Sequence, residues 1–386
     1  MKNPFLNFMF LATLFVGLAF TSCDDDDDDD DKTPVENELS GSVTGTKELD
    51  ASVEYFLTGP LIVEEGGVLE IPAGTVIKAR PGFSKYILVL KGGKINARGT
   101  AEAPVKMIAD IEDAGQGYWG GLIINGNAPL ADPAEVGSTE VSSAYVYGGS
   151  VSTDNSGVLT YLVLGNTGAR SSANVEHNGL TLNGVGNGTK IENIYIYDGA
   201  DDGIEFFGGS VNVTNLLVVN SDDDMFDFTQ GYNGTLKNAY GIWEAGFSSS
   251  EADPRGIEAD GNLDGNFAGH PNQSDFTVEN VTFDLRLAHT TGDVTRAMQD
   301  VIKVRRGAKA NIINALVKGT GAVGDLIDLT DGLGTGVLTS TISLTNSLTN
   351  EITGGAIKPD TATGAVVEDG NTGCATSIFA WTGYQF

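Results

Sequence analysis

The sequence predicts an all-β chain wound as a right-handed parallel β-helix, a solenoid with long loop excursions and an aromatic C-terminal cap. A self-match is the first sign. Shifted by 22 residues, Asp201-Asp202-x-Ile204-Glu205-Phe206 falls on Asp223-Asp224-x-Phe226-Asp227-Phe228, and Gly209 falls on Gly231. A period in the twenties, made of short alternating runs and Gly, Asn or Asp turns, marks one supersecondary unit stacked on itself. The same triplet, apolar then outward then apolar, recurs beyond this pair. Leu180-Thr181-Leu182 precedes it, and Ile257-Glu258-Ala259, Ile302-Lys303-Val304 and Ile327-Asp328-Leu329 follow. Composition agrees: 52 Gly, 11 Pro and little helical periodicity in 386 residues suit one long solenoid domain.

Successive side chains of a strand point to opposite faces, so Ile204, Phe226, Ile257, Ile302 and Ile327 are expected to stack inside. Glu205, Asp227, Glu258, Lys303 and Asp328 then form an outward ladder. Adjacent parallel strands lie about 4.8 Å apart, close enough for neighbouring carboxylates to perturb each other's ionisation. Glu205, Asp227, Glu258 and Lys303 are therefore the first candidate binding residues.

Residues 1–22 read as a signal peptide outside this domain. Lys2 supplies a positive start, Phe5 to Phe20 is an apolar run short for a membrane span, and Thr21-Ser22 stands before Cys23. Phe20-Thr21-Ser22-Cys23 resembles the lipobox of bacterial lipoproteins, with Phe where Leu is more usual. The resemblance implies cleavage before Cys23 and acylation of its thiol. Residues 23–40 form a tether, because the eight aspartates Asp24 to Asp31 repel one another and stay solvated. An acidic run after a lipidated Cys resembles the export signal of Bacteroidota surface lipoproteins. That implies a lipid-anchored protein on the outer membrane, facing outward. A disordered calcium sponge is the rival reading of the run, weakened by its lack of preformed geometry.

With Cys23 acylated, Cys374 is the remaining thiol and is expected to pack in the core. The processed chain carries 21 basic and 52 acidic side chains, a net charge of −31. Nucleic acid and anionic lipid surfaces are poor partners for that charge.

Residues 41–386 are the predicted β-helix. Leu61 to Thr75 and Leu88 to Thr100 are strand pairs broken by Gly-Gly, and Trp119 to Asn127 and Gly157 to Asn166 continue the stack. Ala128 to Ser156 is longer and more polar than a coil needs, as is Asp284 to Gln299. Both read as excursions, where ligand contacts concentrate on regular scaffolds. Asn183, Asn187, Asn193, Asn212, Asn215, Asn220, Asn233 and Asn238 punctuate the middle coils as turn residues that tolerate left-handed backbone. Asp260-x-Asn262-x-Asp264-Gly265 resembles the opening of a calcium-binding loop, and Asp260, Asn262 and Asp264 are its candidate ligands. The acid expected at position 12 of such a loop is replaced by Pro271. Ile378, Phe379, Trp381, Tyr384 and Phe386 are expected to form a cap from about residue 365 to 386, covering the last open coil.

The coils from Gly41 to Asn346 resemble the pectate-lyase-like β-helix superfamily. A narrower likeness is to polygalacturonase-type glycoside hydrolases. Asp202-Gly203 is followed 21 residues on by Asp223-Asp224, then by Gly269-His270 and Ile302-Lys303. That resemblance implies Asp202, Asp223 and Asp224 as catalytic carboxyls in inverting hydrolysis, where paired acids flank a water. It departs from the pattern at Asp201, at the distant His270 and at the displaced Arg305 and Arg306. Asp-rich turns also cap backbone N–H groups as pure architecture, and a binding site is the third reading. The lipobox, the acidic tether, Asp-Asp-Gly-Ile-Glu-Phe-Phe-Gly-Gly and Ile-Glu-Ala-Asp-Gly-Asn together look like a group of Bacteroidota β-helix surface lipoproteins. That likeness implies a capture or structural role, for a glycan or another nutrient, beside a TonB-dependent transporter. Glycan hydrolysis is the alternative.

Overall fold

The computed structural model describes residues 37–172, 175–287, 296–350 and 352–386. Cys23 and the aspartate run lie outside the described residues, as does the middle of the Asp284 to Gln299 excursion. Among the described residues, 24 strands join in parallel into one wrapped array. Each crossover between parallel strands takes the right-handed path that twisted strands favour. The array has three faces. The first runs through Trp119–Asn125, Leu180–Asn183, Ile204–Phe207, Phe226–Thr229, Arg255–Ala259, Ala297–Lys303 and Ala322–Asp328. The second and third are the two halves of longer strands, Lys190–Gly199, Asn212–Ser221, Thr235–Trp243, Asp275–Leu285 and Lys309–Gly319 among them.

Each long strand bends from one face to the next at a left-handed residue. These are Asn193, Asn215, Asn238, Asn280 and Asn314, with φ between 56° and 61°. Asparagine is the side-chain-bearing residue that enters this region most readily. The five stack as an amide ladder: each Nδ2 donates to the preceding Oδ1, at 2.9 Å for Asn215, Asn238 and Asn280 and 2.8 Å for Asn314. Tyr161 (φ 47°) occupies the preceding corner without an amide. Three of the turn asparagines read from the sequence, Asn193, Asn215 and Asn238, thus also bond coil to coil.

The inward stack has the expected register. Ile204 faces Phe226, Phe226 faces Ile257, Ile257 faces Ile302, and Ile302 faces Ile327, all fully buried. Phe206 lies 5.1 Å from Phe228, 8° from parallel, and Phe228 lies 4.3 Å from Phe276. Trp119 and Trp243 are wholly enclosed, and their indole N–H groups donate to the carbonyls of Gly165 and Ser221 at 2.8 and 3.0 Å. A buried Trp needs such a partner for its one polar atom.

The excursion Ala128 to Ser156 folds back over the first face. Its antiparallel hairpin, Gly137–Thr139 with Ser142–Tyr147, brings Val141 and Tyr145 against Tyr86, Leu88 and Ile123. This packing explains why residues that point out of the sheet need not be exposed.

The C-terminal segment differs from the expected cap. Ala365–Val367 is a last strand of the array, paired with Thr341–Leu348. Beyond it the chain turns back along the third face. The N–H groups of Thr372 and Gly373 donate to Asn314 Oδ1, closing the amide ladder, and Cys374 N–H donates to Thr282 Oγ1. Phe379 and Cys374 then pack on Leu217, Val219, Tyr240 and Ile242. Those four are apolar residues on the outside of a sheet, and covering them removes apolar surface from water. Cys374 is buried as expected, but in this satellite cluster, and burial pushes its thiol up to about 12.

Candidate functional site

The acids of the first face come from two neighbouring coils. In the Asp201-Asp202-Gly203 turn, glycine is needed for room: a Cβ on Gly203 would lie 2.6 Å from Val218 Cγ1 and 2.8 Å from the Met225 carbonyl. This tight approach brings Asp202 Oδ1 to the backbone N–H of Asp224, at 2.9 Å. Asp202 is 6% exposed and Asp224 is 2% exposed. One turn of the solenoid is therefore capped by the acid of the turn below it.

Glu205 faces Asp227, Asp227 faces Glu258, and the Ile257 to Ile302 pairing sets Glu258 beside Lys303. The ladder divides at Glu258. From there on, charges are matched. Arg255 reaches Asp253 at 2.6 Å, Asp300 at 3.4 Å, Asp224 at 3.9 Å and also Glu258. Arg305 pairs with Glu258 and with Asp260 at 2.8 Å, and Lys303 meets Asp328 at 2.6 Å. Glu258 and Lys303 are buried in this lattice.

The other half is different. Asp201, Asp202, Glu205, Asp223 and Asp227 line one cavity of about 290 Å³ with Glu140, Glu176, Glu251 and Asn178. Arg170 stands at its edge and pairs with Glu251 at 2.6 Å and Glu176 at 3.3 Å. Burial, and then neighbouring acids, pushes Asp223 and Asp227 up to about 7. Burial raises Asp201, Asp202 and Glu205 well above the carboxylate range, with their neighbours adding to it.

A second cavity, of about 270 Å³, shares Glu140, Glu176, Asn178 and Glu205 with the first and adds Tyr147, Phe207, His177, Thr181 and Asn183. Tyr147 and Phe207 are tilted against each other with centroids 6.2 Å apart. Tyr147 O–H donates to Gln230 Oε1 at 2.7 Å. His177 is held neutral because burial lowers it to about 4, against the opposing pull of the hydrogen bond between its Nε2 and the Phe83 carbonyl. A third cavity of about 450 Å³ continues from Ser138 and Leu263 to Phe267 and His270. Together the three make a groove over the first face, acidic at one end and aromatic and polar in the middle.

The expected calcium loop is built otherwise. Asp260 sits between Arg305 and Arg306, at 2.8 and 2.7 Å. Asn262 accepts the Phe267 N–H at 2.7 Å and donates to Gln273 at 2.8 Å, clasping the loop. Asp264 takes a left-handed turn position (φ 51°) and lines the second cavity. Asp260 and Asn262 are turned to protein partners, while Asp264 faces the second cavity. Two arginines from the next coil pair with Asp260.

Of the residues of the hydrolase likeness, Asp202 and Asp223 line one cavity together and the others are separated from them. Asp223 faces the cavity, but Asp224 is withdrawn behind it toward Arg255. His270 lies in the third cavity, 3.6 Å from Glu135. Lys303 is paired with Asp328. The sequence reading missed Glu140, Glu176, Glu251, Tyr147 and Phe207. Phe207 was within reach, being two residues beyond Glu205 in the same outward phase. The others arrive on the hairpin of the excursion and on loops, which carry no periodic signal.

Fold and groove define a parallel β-helix protein with a ligand-sized, acid-rich groove on one face. The chain belongs to the pectate-lyase-like β-helix domain family, whose model matches residues 41–383. Neither a curated protein nor a solved structure matches the chain.

Proposed function

We propose that the chain is a surface-anchored binding lipoprotein that captures a glycan in the groove of its first face. Acylated Cys23 and the aspartate tether would hold it on the outer membrane, where it would hand ligand to a TonB-dependent transporter. The observation that carries the reading is the middle cavity, where the Tyr147 and Phe207 rings stand beside Thr181, Asn178 and Glu205. Aromatic faces take up the apolar face of a sugar ring, and neighbouring amides, hydroxyls and carboxylates take its hydroxyls. Binding without cleavage is supported by Asp224, which has no place on the cavity wall. Calorimetry of the parent against neutral, amino and acidic oligosaccharides is the test. Affinity for one class, lost at least tenfold in Phe207→Ala, is expected; no binding to any class ends the proposal. The anchor is tested by fatty-acid labelling, which Cys23→Ser should abolish. Labelling that survives the change removes the anchor.

Glycan hydrolysis is the second reading, favoured by Asp223, a cavity-facing acid held near neutrality. A carboxyl with that value can donate a proton to a leaving oxygen at physiological pH. Release of reducing ends by the parent decides between the two.

A further inference from the structure

We infer that the groove takes a non-acidic oligosaccharide long enough to rest on two separate aromatic platforms, Tyr147 with Phe207 in the middle cavity and Phe267 with His270 in the third. The inference rests on the capture reading and names the class and reach of the ligand.

The second platform stands on the loop whose spacing resembles a cation loop. The Phe267 and His270 rings lie 4.8 Å apart, 18° from parallel, and both residues line the third cavity. The backbone beneath them is clasped at several points. Asn262 accepts the Phe267 N–H at 2.7 Å, Gln273 donates to the carbonyls of His270 and Phe267 at 2.9 and 3.3 Å, and the His270 N–H donates to the Phe267 carbonyl at 2.9 Å. A ring fixed before binding loses little freedom when a ligand arrives. Phe267 is still 41% exposed, and Val136, which lines the same cavity, is 64% exposed. Large apolar side chains left in water around one cavity mark a contact surface.

The two platforms belong to one groove. The middle and third cavities, of about 270 and 450 Å³, share Ser138 and Leu263 on their walls. Tyr147 and Phe207 line only the first of them, and Phe267 and His270 only the second, so a single sugar ring does not meet both platforms. A chain does. Once one sugar is held, contact by the next platform is intramolecular, and affinity rises with chain length.

The polar groups of the middle cavity select the class, because their donors are largely spent on the protein. Asn178 gives its amide hydrogens to Thr181 and Glu205, and Asn183 donates to Asn125 at 2.9 Å. Tyr147 O–H goes to Gln230, and Gln230 donates in turn to Glu135 at 2.6 Å. The wall that remains is rich in acceptor oxygens, the carboxylates of Glu140, Glu205 and Asp264 among them. Sugar hydroxyls bring the donors such a wall lacks, whereas a uronate or sulfate group brings acceptors alone and a charge of the repelled sign. Among the described residues, no lysine or arginine lines any of the three cavities, and Arg170 at the edge is taken by Glu251 and Glu176.

Calorimetry with full-length protein compares the disaccharide and the hexasaccharide of gluco-, manno-, xylo- and chitosan-derived series, with hexagalacturonate as the acidic probe. Each titration is run in chelator and again in calcium chloride, since a divalent ion would offset repulsion between uronate and wall. In at least one non-acidic series the hexasaccharide is expected to bind about tenfold or more tightly than its disaccharide, and hexagalacturonate is expected not to bind in either condition. Phe267→Ala should erase the advantage of length and leave the disaccharide affinity unchanged, while Phe267→Tyr, which keeps a ring, should retain the advantage. A hexasaccharide no tighter than its disaccharide would overturn the inference and leave the capture reading standing. So would a length advantage that survives Phe267→Ala in a protein folded by circular dichroism, or binding of hexagalacturonate in either condition. No binding by any oligosaccharide ends the capture reading and the inference with it.

Discussion

Replacing Asn215 separates two jobs that one residue does in the corner ladder. Its backbone is left-handed (φ 61°), and its amide donates to Asn193 and accepts from Asn238, each at 2.9 Å. Asn215→Ala removes both side-chain bonds, worth about 0.5–1.5 kcal/mol each. It also forces a Cβ-bearing residue without a local hydrogen bond into the left-handed region, for about 1 kcal/mol more. The expected loss is about 2–4 kcal/mol, reduced toward the low end where water reaches the half-buried amides. Asn215→Gly loses the same bonds but none of the backbone preference, and is expected to be about 1 kcal/mol less harmful than alanine. Urea unfolding measures both, with the midpoint shift converted only where the slope is unchanged. Equal midpoints for parent, alanine and glycine proteins would refute the ladder's role. Equal losses for alanine and glycine would refute the backbone share.

Two more outcomes follow from packing and from ionisation. Phe228→Ala removes the ring stacked between Phe206 and Phe276 and is expected to cost about 3–5 kcal/mol, read as a lowered urea midpoint; a shift below about 1 kcal/mol would contradict the stack. In chelator, the melting temperature is expected to fall as pH rises toward 7. Asp223 and Asp227 hold protons up to about 7 when folded but only to about 4 when unfolded, so the folded state binds more protons between those values. Their contribution is complete below the unfolded value and is lost as pH passes the folded one. A melting temperature that climbs between about pH 5.5 and 7.5 in chelator would contradict this ionisation.

Much of the solenoid was legible because its signal is periodic. The 22-residue repeat fixed the pairing of Ile204 with Phe226 and of Glu205 with Asp227, and alternation set which of them faced inward. What the repeat could not show is what lies above an outward residue. Glu258 and Lys303 point out of the sheet and are buried all the same, because loops and charged partners cover them. The groove is half built by Glu140, Tyr147 and Glu176, whose positions in the hairpin excursion and a loop depend on tertiary packing and leave no local pattern. The Asp260 loop misled because its spacing matches a cation loop, while the arginines that occupy it, Arg305 and Arg306, are 45 and 46 residues away. The C-terminal aromatics were read as an end cap for a similar reason. Their partners, Leu217, Val219, Tyr240 and Ile242, are outward apolar residues of distant coils.

Whether the groove holds a ligand or cuts it is tested most directly by one time course. Parent protein at high concentration is incubated with each oligosaccharide class in calcium, and both bound ligand and new reducing ends are counted. Saturable binding with no reducing ends beyond the protein-free control is the expected result, since Asp224 stands off the cavity wall. Reducing ends that grow with time in the parent and vanish in Asp223→Asn would contradict the binding account and make the chain a glycan hydrolase.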